Sequence, residues 1–110
     1  MLNLLFGNLT KNSKVKVLSP SAFKEKLQAD KAVLVDVRTP QEYRAGHIPK
    51  AINIDFKSSN FAQGFEKIDK EKPLFIYCRS GMRSMMCAKQ LINMGFKEIY
   101  DLKGGYLNWP

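Results

Sequence analysis

Short β-branched apolar runs alternate with helix-start signals about five times after Val15, and no other feature of the chain restricts its fold as much. Val15-Lys16-Val17-Leu18 reads as a strand. Ser19-Pro20 then supplies an N-cap and a first-turn proline for a helix to about Gln28, with Ala22, Phe23 and Leu27 on its apolar face. Ala32 to Val37 is almost continuously apolar, the pattern of a strand covered on both sides, and it is expected centrally in a parallel sheet. Thr39-Pro40-Gln41-Glu42 has the spacing of a capping box and predicts a short helix to about Ala45, closed by Gly46. The same reading gives a strand over Ala51–Ile54, a helix over Ser58–Ile68 weakened by Gly64, and a strand over Leu74–Tyr77. It ends with a broadly apolar helix over Ser84–Met94 stopped by Gly95, a strand over Glu98–Leu102, and a short helix after Gly104-Gly105 ending near Trp109. This order specifies an α/β fold: one mostly parallel central sheet of about five strands with helices on both faces.

Composition narrows the function classes. The chain has 110 residues, 45% hydrophobic and 25% charged, which fits one globular domain over residues 15–110. Met1, Leu2, Leu4, Leu5 and Phe6 make residues 1–14 a short apolar arm, and the absence of a basic n-region and of a cleavage site argues against a signal peptide. Two cysteines, Cys78 and Cys87, exclude a disulfide-stapled scaffold and a four-cysteine zinc site. No apolar stretch approaches the roughly 20 residues that span a bilayer. Eighteen Lys and Arg against ten Asp and Glu give a net charge of +8, but the lysines are dispersed and no aromatic ladder lies between them. A solvated basic surface is expected, with small anions rather than nucleic acid or membrane as ligands. A cytoplasmic monomer is the corresponding expectation.

In open parallel sheets, ligands bind beyond the carboxyl ends of the strands. The segment so placed is Cys78-Arg79-Ser80-Gly81-Met82-Arg83-Ser84, between the strongest apolar strand and the most apolar helix. Backbone amides at a helix N-terminus form an anion site, and Gly81 lets the loop curl. Such a setting, with two arginines nearby, favours the nucleophilic thiolate of Cys78 over an inert core thiol. A desolvated arginine pair would have no cheap structural role there. Loop length selects the anion. A cysteine-type phosphatase cradle places five residues between Cys and Arg, usually with His before the Cys; here four residues separate Cys78 from Arg83, and Tyr77 precedes the cysteine. The tighter loop suits a single sulfur atom carried on Cys78.

Over roughly Leu18 to Trp109, the chain closely resembles a single-domain rhodanese-like sulfurtransferase. The resemblance rests on Leu34-Val35-Asp36-Val37-Arg38, Glu42-Tyr43, Gly46-His47-Ile48-Pro49, Ala51-Ile52-Asn53-Ile54, Ile76 to Ser84, and Leu102-Lys103-Gly104-Gly105 before Trp109. The Cys-Arg-x-Gly-x-Arg loop matches the thiosulfate-type branch rather than the mercaptopyruvate type. It implies that Cys78 accepts a sulfane sulfur from thiosulfate or a persulfide donor and passes it to a thiol, on a thioredoxin-like or sulfur-carrier protein, without metal or organic cofactor. By the same resemblance Arg79 and Arg83 hold the departing anion, the amides from Arg79 to Ser84 stabilise the persulfide, and Asp36, Arg38 and Glu42 brace the loop. Lys50 departs from the family's usual glycine. His47, the only histidine, is expected to be structural or exposed, Cys87 to be core, and Tyr106 and Trp109 to cover the sheet edge. A phosphatase or arsenate reductase is disfavoured by the short loop. A non-catalytic binding module, or a relay of persulfide between proteins, is the alternative to independent turnover.

Overall fold

The apolar runs pair into one sheet. The computed structural model describes residues 14–110, so the arm expected at the chain start lies outside the described residues except for Lys14. Five strands, β1 (Val15–Leu18), β2 (Val33–Asp36), β3 (Ile52–Asn53), β4 (Leu74–Tyr77) and β5 (Ile99–Leu102), lie in the order β1-β5-β4-β2-β3 with every pairing parallel. Between them run α1 (Pro20–Asp30), α2 (Pro40–Ala45), α3 (Phe61–Phe65) and α4 (Met82–Asn93), and a 3-10 turn (Tyr106–Asn108) follows β5. None of these helices is long and apolar enough to cross a membrane.

Strand periodicity sorts the core into two layers. Leu74 and Ile76 of β4 join Val35, Ile99, Phe61, Phe65 and the α4 residue Leu91 on one face. Phe75 and Tyr77 join Leu34, Tyr100 and the α1 residue Phe23 on the other. Helices therefore cover both faces. The interior is close-packed by edge-on aromatic contacts such as Phe23–Phe75 at 5.2 Å and Phe65–Phe96 at 6.0 Å between ring centroids.

Several boundaries differ from the sequence expectations, each for a local reason. α1 continues to Asp30 because Lys31 accepts the left-handed cap conformation, with φ of 50°. β2 is interior but not central; β4, buried at all four positions, takes the centre. The helix expected over Ser58–Ile68 is only the five residues of α3, since its flanks close in single turns, Phe61 N–H to Ser58 O at 3.2 Å and Ile68 N–H to Phe65 O at 3.1 Å. α4 starts two residues early, at Met82, and buries Ser84, Cys87, Ala88 and Leu91 while leaving Met85 and Met86 more than half exposed. Lys50 has φ of 74°, a left-handed backbone that accounts for the family's glycine there.

The connections leave a crevice. The chain leaves β2 through α2, packed by Tyr43 on the Phe75 side, and moves outward to β3; it leaves β4 through α4, on the Leu91 side, and moves back to β5. Adjacent strands with oppositely directed connections open a cleft at their carboxyl ends. Asp36 and Cys78 flank it.

One buried group is unexplained by packing. Alternation turns Asp101 of β5 toward the α4 side, where it is 2% exposed and its Oδ1 has no hydrogen-bond partner. Burial pushes its carboxyl up to about 6, although the neighbouring Ser84 hydroxyl and Leu102 amide oppose the shift. The folded state thus prefers the neutral acid, so stability falls as pH rises from about 4 through 6 and stays lower above that range. Asp101→Asn is expected to be more stable than the parent at pH 7.5, by up to about 3 kcal/mol, and to lose that advantage at pH 4. Denaturant titrations at the two pH values check this.

Candidate active site

Cys78 follows the last residue of β4 and is 1% exposed. Gly81, with φ of 109°, turns the loop back so that its amide donates to Cys78 Sγ at 3.0 Å. A side chain with a Cβ rarely adopts that conformation, which gives Gly81 its role. The Cys78 thiol faces Ser84 Oγ at 3.3 Å, and the Ser84 hydroxyl donates to Gly81 O at 3.2 Å. The sulfur therefore sits between the Gly81 amide and the Ser84 hydroxyl, at the N-terminus of the twelve-residue α4.

A second segment closes the loop from outside. The Tyr106 and Leu107 amides donate to the Cys78 and Arg79 carbonyls at 2.8 and 3.1 Å. Gly105 makes this approach possible: at φ of 65°, a Cβ there would lie 2.5 Å from the Arg79 carbonyl group and 2.6 Å from Cys78 O. Both backbone shape and space demand glycine. In the sequence, Gly104-Gly105 is the lead-in to a short terminal helix and a mark of the family resemblance; neither assigns Gly105 this close approach to the Cys78 loop.

The bracing residues form two clusters. Asp36, fully buried, accepts from the Arg38 amide at 2.9 Å, from Arg38 Nε at 3.0 and 3.1 Å, and from Arg38 Nη2 at 2.7 Å. Tyr77, the residue before the cysteine, donates its hydroxyl to Asp36 Oδ2 at 2.9 Å and accepts from the Ile48 amide at 3.0 Å. Burial, with the carboxylate beside it, pushes the Tyr77 hydroxyl pKa upward, so it remains a donor. Arg38 also reaches Gly46 O at 2.6 Å and lies over the Tyr106 ring at 4.5 Å. It is consumed by these contacts.

The second cluster joins α2 to α4. Arg83 Nη1 and Nη2 donate to Glu42 Oε1 and Oε2 at 2.8 and 2.9 Å, while Glu42 Oε1 also accepts from the Thr39 amide at 2.9 Å in the expected capping box. Arg83 beside it holds the Glu42 carboxyl down to about 2. The expected desolvated arginine pair is not found: Arg83 is part-buried with a carboxylate partner, and Arg79 is exposed. Ser80 and Met82 are exposed as well. His47 stacks on Tyr43 with centroids 3.7 Å apart, and its Nδ1 lies 2.8 Å from Tyr43 O. Cys87 is fully buried, and burial pushes its thiol pKa well up, which suits a core residue. The fold thus assembles a recessed sulfur, the Gly81 amide against it and the exposed Arg79 beside it, a combination able to carry a nucleophilic thiolate and to meet a small anion.

Comparison with known proteins agrees on kinship. The family described as the rhodanese-like domain matches residues 19–110. YtwF of Bacillus subtilis is 40% identical over 96 residues, covering 86% of this chain and 90% of YtwF. The thiosulfate sulfurtransferase GlpE of Coxiella burnetii is 39% identical over 77 residues, 70% of each chain. Among solved structures, a rhodanese-like domain protein from Staphylococcus aureus superposes with a TM-score of 0.76 at 28% identity, covering 86% of this chain and 91% of that one.

Two substitutions test this geometry. Gly105→Ala is expected to cost about 2–4 kcal/mol and to lower Tm by roughly 10 °C or more, read by thermal denaturation. Glu42, held low, adds stability that is complete above about pH 4.5 and lost as pH falls toward 2. Glu42→Gln is accordingly expected to flatten the loss of stability on acidification across that window, measured as denaturation midpoints; an unchanged slope would contradict the pairing.

Proposed function

The chain belongs to the rhodanese-like domain family, and from that membership we propose that it is a sulfurtransferase working through a Cys78 persulfide. The observation that carries this reading is the Gly81 amide 3.0 Å from Cys78 Sγ, in a loop closed at the N-terminus of α4. The name of the GlpE relative, a thiosulfate sulfurtransferase, supports thiosulfate as donor.

The Cys78 thiolate attacks the sulfane sulfur of thiosulfate. A Cys78–sulfur bond forms, the sulfur–sulfur bond of the donor breaks, and its electron pair leaves with sulfite. The terminal persulfide sulfur then carries the negative charge, and the loop amides stabilise it. In the second half-reaction an acceptor thiolate attacks that sulfur, takes it as a new persulfide and returns Cys78 as thiolate. Splitting the transfer into two displacements predicts ping-pong kinetics. The acceptor is a thiol on a thioredoxin-like or sulfur-carrier protein of the cytoplasm, met by a monomer of this chain.

Arg79 and Arg83 share the anion unequally. Arg79 is exposed at the loop and has its guanidinium available for the donor's sulfonate oxygens, whereas Arg83 already has two donors engaged by Glu42. A phosphatase cradle, which needs its arginine free over the anion, gains no support from that pairing. Asp36 and Arg38 act on Tyr77 and so position the residue that leads into Cys78.

Intact-protein mass after thiosulfate treatment is expected to show one added sulfur atom, absent in Cys78→Ser, retained in Cys87→Ser and removed by a thiol reductant. A sulfur adduct on Cys78→Ser would overturn the assignment of the nucleophile. Steady-state assays should give Arg79→Ala a rise in thiosulfate KM of roughly tenfold, larger than that of Arg83→Ala. Equal, small effects would remove the unequal clamp.

A further inference from the structure

Four of the seven large apolar side chains exposed among the described residues border the Cys78 loop: Met82 at 73%, Met85 at 53%, Met86 at 54% and Leu107 at 63%. Met82, Met85 and Met86 follow helical spacing on one stripe of the first turns of α4. The Met85 amide donates to Gly81 O and the Leu107 amide to Arg79 O, so both elements are tied to the loop. Their side chains add little to the fold that a polar residue would not. Methionine is flexible and polarizable, and it recurs on surfaces that receive other chains.

Charge around these side chains is of one sign. Residues 78–94 and 102–110 contain Arg79, Arg83, Lys89 and Lys103 and no acidic residue at all. Arg83 is neutralised by Glu42, which leaves Arg79, Lys89 and Lys103. By contrast, the segments before β2, β4 and β5, at the opposite end of the sheet, mix both signs: Asp30, Asp69, Glu71 and Glu98 stand among Lys31, Lys70, Lys72 and Lys97. The cysteine between them is 1% exposed, so a reacting atom must be brought down to it.

We propose that Met82, Met85, Met86 and Leu107, with Arg79, Lys89 and Lys103, form the docking surface for an acidic protein that presents its sulfur-exchanging cysteine on an apolar projection. This deepens, and rests on, the sulfurtransfer reading of Cys78. A membrane surface fits less well, because a flat lipid plane cannot reach a recessed sulfur. A cysteine on a protruding loop can, with apolar flanks against the methionines and carboxylates near the cations.

The test separates docking from chemistry. Fluorescein-labelled nonapeptides carry serine in place of the central cysteine, flanked by leucine and phenylalanine and then by aspartates; control peptides carry lysines for the aspartates or glycines for the apolar pair. Anisotropy titrations with the full chain are expected to give a Kd on the order of tenfold lower for the acidic apolar peptide than for either control, rising with salt. The double variant Met85→Gln/Met86→Gln should lose that preference while its circular dichroism and its turnover of thiosulfate with dithiothreitol stay unchanged. Equal binding of all three peptides, an unaltered preference in the double variant, or binding to phosphatidylglycerol vesicles in place of the peptide would overturn the proposal. A wild type that prefers the acidic peptide yet takes sulfur from neither thiosulfate nor a persulfide donor supports the docking surface and refutes the sulfurtransfer reading alone.

Discussion

The buried carboxylate of Asp36 is the constraint on which the site depends. It lies at the carboxyl end of β2 without exposure, so its charge must be met inside the protein, and Arg38 and Tyr77 meet it. Such a pair adds little net stability by existing, but removing one partner leaves an isolated charge and costs about 3–5 kcal/mol. What the arrangement secures is geometry. Tyr77 is held from β2 by its hydroxyl, and its backbone carbonyl receives the Val37 amide at 3.0 Å. The strand that delivers Cys78 is therefore fixed across the crevice before the loop begins.

From there the loop is shaped by backbone rather than by side chains. Gly81 aims its amide at the sulfur, Gly105 admits the 3-10 turn against the loop carbonyls, and the helix N-terminus supplies the remaining field. Side-chain charge is restrained instead of concentrated. Glu42 takes up Arg83 and Asp36 takes up Arg38, leaving Arg79 as the exposed cation of the loop. A persulfide gains from dipoles fixed at hydrogen-bond distance, since these need no reorganisation when charge moves outward by one atom.

The layer order of the fold was legible because each strand is a short apolar run bounded by a cap, and the caps at Ser19 and Thr39 form as the spacing implied. Boundaries failed where tertiary contacts overrode local pattern. The segment from Ser58 to Ile68 anchors Phe61 and Phe65 and needs only one helical turn and its flanks to do so. On α4, a broadly apolar sequence does not single out the inward side, and the buried stripe runs through Ser84, Cys87, Ala88 and Leu91 while Met85 and Met86 face out. Cys78 was legible from its place after β4. The Glu42–Arg83 pair was not, because it joins residues 41 positions apart through a register that only the assembled sheet supplies. Lys50 illustrates the converse: its left-handed backbone explains why glycine is usual there, though lysine occupies it.

The clamp by Tyr106 and Leu107 also sets an order of events. Cys78 and the residues that hold its carbonyl and that of Arg79 are separated by an entire helix and strand, so local folding of the β4–α4 unit cannot finish the cradle. During synthesis the Cys78 loop must wait until Leu107 has cleared the ribosome and β5 has entered the sheet. Until then the Cys78 and Arg79 carbonyls lack their partners, and the cradle is complete only as the fold closes.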